Sequence, residues 1–223
     1  VPPITELATR FITKNPNQLT KEVNARRHGE GQRVWAMFGP RCGNGVLGEA
    51  LRLIAGDPSV RGRQSVVKLL GRYQKDRPRD LQALKADFPT LSIEFQTVFK
   101  AKGLEADHVV VLGLGTGLLG FPSQIEDDPI LDLVLPPQEH FRYAEERRVF
   151  YVALTRARYS VFLLADEANP SPFVLELLSE PGVGVIGQSP TRAAYCQACT
   201  SGRLLRRNRS EERRVGKECT LRC

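Results

Sequence analysis

The sequence predicts an α/β fold in which a parallel sheet is covered by helices on both faces. The first observation is that short apolar runs, such as residues 65–70 and 91–98, alternate with segments of helical periodicity, such as 46–55 and 144–158. The second is that residues 108–114 form the most continuously apolar run of the chain. Such a run is typical of a central strand that is buried on both faces of its sheet.

The helices are predicted from apolar residues at helical spacing, together with start and stop residues. Thr5 is a candidate N-cap for the first helix, and the sequence Gly56-Asp-Pro58 ends the second. Pro78 and Pro172 fall in the first turn of two others, a position that proline tolerates. We therefore expect helices at residues 5–12, 46–55, 78–86, 144–158 and 171–178.

The strands are predicted from short runs rich in valine, isoleucine, leucine and phenylalanine, bounded by turn residues. They fall at residues 33–38, 65–70, 91–98, 108–114 and 159–164. The segment 181–190 contains two prolines, three glycines and a serine, which is the composition of a linker. We therefore expect one domain at residues 1–180, a linker at 181–195 and a separate tail at 196–223.

Charge is distributed unevenly along the chain. The net charge of the 223 residues is +7, of which residues 200–223 contribute +5 through eight basic and three acidic residues. The remaining residues therefore carry only +2, which argues against a broad basic surface that coats DNA. Apolar runs are too short to span a membrane and the N-terminus lacks the features of a signal peptide, so we expect a cytoplasmic protein. Because the chain does not begin with methionine, we expect a fragment of a longer protein.

Four of the five cysteines lie near the C-terminus, in two pairs. The pairs are Cys196 with Cys199, and Cys219 with Cys223. In a cytosolic protein this spacing favours metal binding over a disulfide, and four thiolates make a tetrahedral Zn²⁺ site. The other interpretation of this tail is a solvated basic end without metal.

One stretch, residues 97–105, has a layout suited to gripping phosphate and sugar. It joins two predicted strands through a short basic turn, Lys100-Ala-Lys-Gly103, and ends in Glu105. Gly103 allows close approach of a ligand to the backbone, and the Glu105 carboxylate can accept a hydrogen bond from a ribose hydroxyl. Alone this pattern is weak, because Lys-Gly turns are common.

A second stretch adds weight to the interpretation of the first. Its sequence is Ala144-Glu-Glu-Arg-Arg-Val-Phe-Tyr-Val-Ala-Leu-Thr-Arg-Ala-Arg158. Together the two stretches resemble motifs V and VI of superfamily 1 DNA helicases of the UvrD/Rep type. Gly120-Phe-Pro-Ser123, which lies between them, resembles a G-x-F-P-S segment of the same proteins. The resemblance covers residues 1–178 in matching order and spacing.

The resemblance implies a RecA-like lobe, called 2A, that forms one side of an ATP site. In this family a first lobe supplies the phosphate-binding loop and holds Mg²⁺, and the second lobe contributes an arginine that stabilises charge on the transferring phosphoryl group. Arg156 matches that arginine, and Gly103 and Glu105 match residues that contact the nucleotide. The chain contains no G-x-x-x-x-G-K-[S/T] sequence, so we expect it to be inactive without the first lobe.

The resemblance also implies contacts with single-stranded DNA, and with duplex DNA during unwinding. Thr97 and Lys102 match positions near the DNA backbone, and Arg72 matches an arginine near the nucleic acid or the interface between lobes. Phe99 stands where the family usually has histidine, and its ring can stack on a base of any identity. The alternative is a non-catalytic nucleic-acid-binding module derived from such a lobe, in which the tail serves as a metal-dependent basic arm.

Two further patterns are weighed against this interpretation. Gly115-Thr-Gly-Leu-Leu-Gly120 matches the dinucleotide fingerprint, but Phe121-Pro122 follows where that fingerprint requires a helix. We therefore expect a loop and not an oxidoreductase site. The start of the tail, from Cys196, resembles the opening of a topoisomerase-type zinc ribbon. Residues 210–219 depart from that pattern, so the sequence leaves open whether the tail binds zinc or no metal and whether residues 208–223 are native.

Overall fold

The protein is an α/β domain built on a six-stranded parallel sheet, as the sequence predicts. The structure, a computed structural model, describes residues 4–18, 33–40, 44–60, 64–125, 141–187, 203–207 and 211–215. The helices are α1 (Ile4–Ile12), α2 (Asn44–Gly56), α3 (Leu81–Asp87), α4 (Ala144–Thr155) and α5 (Pro172–Leu177). The sheet strands are β1 (Val34–Gly39), β2 (Ser65–Gly71), β3 (Leu91–Thr97), β4 (Ala106–Leu114), β5 (Ala157–Asp166) and β6 (Val183–Ile186).

The strand order is β3-β2-β4-β5-β1-β6, and every neighbouring pair is parallel. β4 lies between β2 and β5, so its Val110 is paired with Leu69 on one side and Phe162 on the other. Val109, Val110 and Val111 are fully buried, although their side chains alternate between the two faces. The prediction of a central strand at residues 108–114 is therefore confirmed.

Two apolar clusters cover the two faces of the sheet. On one face α1, α4 and α5 pack around four phenylalanine rings with centroid separations of 5.2–6.5 Å. These rings are Phe11, Phe121, Phe150 and Phe173. On the other face the buried residues of α2 and α3 pack against β1–β5. Each fully buried aromatic or aliphatic side chain contributes about 1.5–3 kcal/mol, so the two clusters dominate the stability of the domain.

Several predicted boundaries differ from the structure, most clearly those of α3, α4 and β5. α3 begins at Leu81 and not at Pro78, because Arg77 has extended backbone and Asp80 precedes the helix. α4 ends at Thr155, and β5 already begins at Ala157, so the residues from 156 to 158 are not helical. The physical reason is strand pairing, since the Ala106 amide donates to the Arg156 carbonyl at 3.0 Å and draws the chain into the sheet.

The sheet also extends beyond the boundary predicted at residue 180. β6 pairs with β1 through Val34↔Val183 and Met37↔Ile186, although the sequence around it has linker composition. Farther along, β7 (Arg203–Arg207) and β8 (Glu211–Val215) form an antiparallel pair within the predicted tail. Among the residues that the structure describes, no helix is both long and apolar enough to cross a membrane.

Candidate functional site

The predicted site residues lie at the two opposite ends of the parallel strands. Arg72 follows β2, and Thr97 is the last residue of β3, so both lie at the carboxyl end of the sheet. Glu105 precedes β4 and Arg156 precedes β5, so both lie at the amino end. Residues 98–105 connect the two ends by crossing one face of the sheet. Within this crossover, Val98 and Ala101 are buried in the apolar cluster that covers this face. Because the motif at residues 97–105 includes this crossover, it has residues at both ends of the sheet.

The amino end brings the main chains of Glu105 and Arg156 together. The Ala106 amide donates to the Arg156 carbonyl at 3.0 Å, and Ala106 is paired with Ala157 in the sheet. Next to them, Arg158 Nε donates to Glu105 Oε2 at 3.0 Å. Both of these side chains are more than half exposed, at 54% and 58%, so the ion pair is solvated and weak.

The Arg156 side chain folds back on the end of its own helix. Its Nε donates to the Val152 carbonyl at 3.2 Å, and Nη2 donates to Thr155 Oγ1 at 3.2 Å. A cation at a helix C-terminus is favourable because the last carbonyls carry partial negative charge. Both contacts are local and partly exposed.

Gly103 adopts a left-handed backbone with φ of 83°, which side-chain-bearing residues rarely adopt. A Cβ at this position would meet no atom within 4 Å, so the glycine is required by the turn and not by crowding. The adjacent Lys102 is exposed. The turn therefore leaves open space beside the crossover.

The carboxyl end is organised around a buried ion pair. Arg72 Nε donates to both carboxylate oxygens of Glu146 at 3.0 Å, and Nη2 donates to Oε1 at 2.7 Å. The Ser123 amide donates to Oε2 of the same carboxylate at 3.0 Å. Burial on its own lowers the pKa of the Arg72 guanidinium, but the hydrogen bonds and charge of Glu146 outweigh it, so the pKa lies above that of an ordinary arginine.

Two aromatic rings lie against the same guanidinium. Arg72 Cζ is 4.9 Å from the Tyr73 ring centroid and 4.6 Å from that of Phe99, within the range of cation–π attraction. Phe99 is 56% exposed, and the Tyr73 hydroxyl is 2.6 Å from Ser123 Oγ. We refer to Arg72, Tyr73 and Phe99 as the strand-end platform. Its exposed ring offers an apolar face next to a cation.

The loop at residues 115–125 completes this end. The dinucleotide pattern within it forms a tight turn and not a helix, as expected, and Gly120 donates to the Gly117 carbonyl at 2.9 Å. A Cβ on Gly120 would lie 2.3 Å from the Gly115 carbonyl oxygen, so only glycine fits. Ser171 Oγ donates to the Phe121 carbonyl and fixes the loop against α5.

Thr97 contributes through its backbone to the start of the crossover. Its carbonyl accepts from the Ala101 amide at 3.1 Å, and it is paired with Gly71, the residue before Arg72. Thr97 and Arg72 are thereby held side by side at the ends of neighbouring strands. DNA contact by either residue, or by Lys102 or Phe99, stays a prediction.

Sequence reasoning missed Glu146 and the buried arginine next to it, Arg147. Arg147 donates to both oxygens of Glu176 at 2.9 and 2.7 Å and to the Phe11 carbonyl at 2.9 Å. The sequence did contain an indication that these two side chains are buried. Positions 146 and 147 are charged, yet they lie on the side of the helix that also carries Phe150. Charged residues on an apolar face are expected to be paired, because an unpaired buried charge is costly.

The predicted zinc ligands, Cys196, Cys199, Cys219 and Cys223, lie outside the described residues. Among the residues that are described, no group of three or more histidine, cysteine, aspartate or glutamate side chains is arranged to hold a metal ion. Zinc binding by the tail therefore stays a prediction.

The family model for the UvrD-like helicase C-terminal domain matches residues 77–167. That range contains Thr97, Glu105, Glu146 and Arg156. The chain carries a UvrD-like helicase C-terminal domain. The matched range includes residues at both ends of the sheet, whereas Arg72 and Tyr73 of the strand-end platform precede it.

Relatives of known name agree with this assignment. The chain is 38% identical over 182 residues to DNA helicase IV of Escherichia coli, which covers 82% of this chain and 25% of that protein. It is 38% identical over 95 residues to a probable DNA helicase II homolog of Mycoplasma capricolum, covering 38% of this chain and 12% of that one. The chain thus spans about a quarter or less of the length of these relatives.

A solved structure with some likeness is the C-terminal domain of a possible DNA helicase from Lactobacillus plantarum WCFS1. It is 16% identical, has a TM-score of 0.47, and the alignment covers 82% of this chain and 94% of that one.

Proposed function

We propose that this chain is the second RecA-like lobe of an ATP-dependent DNA helicase, which couples ATP hydrolysis to movement along single-stranded DNA and to duplex unwinding. The observation that carries the proposal is the hydrogen bond between the Ala106 amide and the Arg156 carbonyl. It supports the proposal because Glu105, in the first motif, and Arg156, in the second, then lie at the same end of the sheet. The strand-end platform lies at the opposite end.

At the amino end the chain offers the groups that a nucleotide requires. The Glu105 carboxylate accepts from a ribose hydroxyl, and the Arg156 guanidinium donates to the terminal phosphate. ATP with Mg²⁺ supplies the free energy, and the metal is held mainly by a first lobe that this chain lacks. The contribution of Arg156 is to stabilise the negative charge that develops on the transferring phosphoryl group.

At the carboxyl end the chain offers groups suited to single-stranded DNA. Phe99 presents an exposed ring for base stacking, and Thr97, at the end of β3, and Lys102, on the crossover, serve for contact with phosphates. The partners of the chain are then single-stranded and duplex DNA and the first lobe of the same protein. We infer a cytoplasmic location, and Zn²⁺ binding is confined to the cysteine pairs of the tail.

A second candidate function is a nucleic-acid-binding module without catalysis. The observation that favours it is that two N–H groups of Arg156 are bound to its own helix and none of the described acids holds it towards an open cleft. In that case the amino end would have no role in hydrolysis, and only the carboxyl end would be functional.

The test joins residues 1–223 to the first lobe of DNA helicase IV and measures ATP hydrolysis in the presence of oligo(dT). Arg156→Ala is expected to lower kcat by about a thousandfold, the effect of removing such an arginine. Lys85→Ala, which removes an exposed cation from α3, is the matched control and should leave kcat unchanged. ATP hydrolysis at the unmodified rate in the Arg156→Ala variant would reject catalysis and favour the binding module.

A further inference from the structure

Glu146 is a buried carboxylate whose hydrogen-bonding capacity is largely used. It accepts three hydrogen bonds from Arg72 and one from the Ser123 amide, all between 2.7 and 3.0 Å. Its side chain is 12% exposed. The preceding residue, Glu145, is 83% exposed and pairs with Arg148 on the helix surface. The two adjacent glutamates therefore have opposite environments.

The bonds to Glu146 determine where the Arg72 guanidinium lies. A guanidinium is planar, and a bidentate carboxylate that occupies the Nε and Nη2 edge fixes both its position and its plane. With that plane fixed, the cation lies 4.6 Å from the Phe99 ring centroid. Phe99 leaves more than half of its surface in water, so this contact holds the ring without burying it.

The same carboxylate also connects the platform to the 115–125 loop. The Ser123 amide is bound to Glu146, and Ser123 Oγ is 2.6 Å from the hydroxyl of Tyr73, the second ring of the platform. Tyr73 is held from the other side by its amide, which donates to Asp76 Oδ2 at 2.9 Å. Glu146 is thus the group to which all parts of the strand-end platform are anchored, directly or through one residue.

We propose that Glu146 is a positioning residue for nucleic-acid binding, which holds Arg72 so that the Phe99 ring is preorganised to stack on an unpaired base. The inference rests on the proposed function and names the part of the ligand that this end recognises. A ring that is already held in place loses less conformational freedom when a base stacks on it, so the bound state forms more readily. A purely structural ion pair would have no need of an exposed aromatic ring at its edge.

The experiment measures the binding of 5′-fluorescein-labelled oligo(dT) to the 223-residue chain by fluorescence anisotropy at low salt. Four variants are compared with the unmodified chain, namely Glu146→Gln, Phe99→Ala, the double variant, and Glu145→Gln as matched control. Gln keeps the shape of Glu146 but removes its charge. Phe99→Ala is expected to weaken binding about tenfold, within the range measured for loss of one stacked base.

The double variant separates positioning from general stability. If Glu146 acts through Phe99, Glu146→Gln weakens binding about fivefold in the unmodified chain but has no further effect once Phe99 is absent. Glu145→Gln binds like the unmodified chain. An equal fivefold loss with and without Phe99 overturns the inference, because the carboxylate would then act on the fold and not on the ring.

A second variant keeps the inference testable if Glu146→Gln does not fold, as judged by its thermal melting curve. Arg72→Lys retains the positive charge but loses the planar fork, and it should weaken binding only when Phe99 is present. The outcomes also separate the inference from the proposed function. Unmodified binding after Phe99→Ala, or no binding by the unmodified chain, overturns both. A tenfold loss with Phe99→Ala, together with unmodified binding by Glu146→Gln, overturns the inference alone.

Discussion

The two ends of the sheet carry similar residues in different physical states. At the carboxyl end Arg72 is bound to both oxygens of a buried carboxylate and lies against two rings. At the amino end, among the described residues, the Arg156 side chain donates to the last turn of its own helix, and Glu105 pairs with Arg158 in solvent. Among the described residues, the charges of the first end are held by ion pairs with low exposure, whereas those of the second are held by local or solvent-exposed contacts.

This difference indicates that the two ends of the domain have different roles. The helix α4 begins near Glu146 at the carboxyl end and reaches Arg156 at the amino end, a length of about 18 Å for its 12 residues. One end of this helix is anchored by ion pairs that stabilise the fold, and the other carries the arginine proposed to act on ATP. Mutations at the two ends should therefore separate effects on stability from effects on ATP hydrolysis.

The largest effect on stability is expected from Arg72→Ala. It leaves the Glu146 carboxylate buried without its main partner, which should lower the free energy of unfolding by about 3 kcal/mol. Arg156→Ala should lower it by less than about 1 kcal/mol, because this arginine makes only local, partly exposed contacts. Urea unfolding followed by circular dichroism measures both, and similar losses in the two variants would contradict the contrast between the ends.

The next effect, on nucleotide affinity, is expected from Glu105→Gln. In the protein joined to a first lobe, the KM for ATP should rise about tenfold, because a hydrogen bond to a charged acceptor is weakened. Stability should stay within about 0.5 kcal/mol, since the Glu105–Arg158 pair is exposed. Asp87→Asn, on the exposed side of α3, is the control for loss of one surface carboxylate. An unchanged KM would remove Glu105 from the proposed ATP site.

The smallest effect tests how far the ion-pair network of the carboxyl end extends. Lys14 Nζ lies 3.1 Å from Glu176, the partner of Arg147, and 2.8 Å from Glu180. The hydrogen bond from Lys14 holds the pKa of Glu180 below its usual value. A lowered folded-state pKa means that the stabilisation is present at neutral pH and is lost as the pH falls through that pKa.

Glu180→Gln should therefore reduce stability by about 0.5–1 kcal/mol at pH 7, and the deficit should disappear in acid. Thermal melts at pH 7 and at pH 3 provide the measurement, with Glu49→Gln on the exposed face of α2 as control. A deficit that persists at pH 3 would show that Glu180 stabilises the protein by packing and not by charge.

Much of the fold follows from local patterns in the sequence. The continuous apolar run at residues 108–114 is enough to identify the central strand, because a strand covered on both faces has no polar side to show. The sequence did not predict β6, because a strand of four residues between Gly182 and Gly187 is too short to show a recognisable pattern of apolar residues. Pairing with β1 supplies its backbone partners, and that pairing is a tertiary contact.

The candidate sites divide in the same way. The chain itself determines that residues 97–105 and 144–158 carry basic, acidic and glycine residues in the order of a helicase lobe, because residue type and spacing are local properties. It also determines the left-handed turn at Gly103, since no other residue tolerates that backbone as readily.

Only the tertiary structure determines which charged side chains are held in ion pairs with little exposure and which are exposed to solvent. Residue type does not distinguish Glu145 from Glu146, and helical spacing from Phe150 does not identify a partner, yet one faces water and the other is buried against Arg72, 74 residues away in sequence. The environment of a charge depends on every group that packs around it, and long-range strand order brings those groups together. For this reason the sequence alone predicted the motifs, whereas the anchored and the open end of the sheet emerged only from the folded chain.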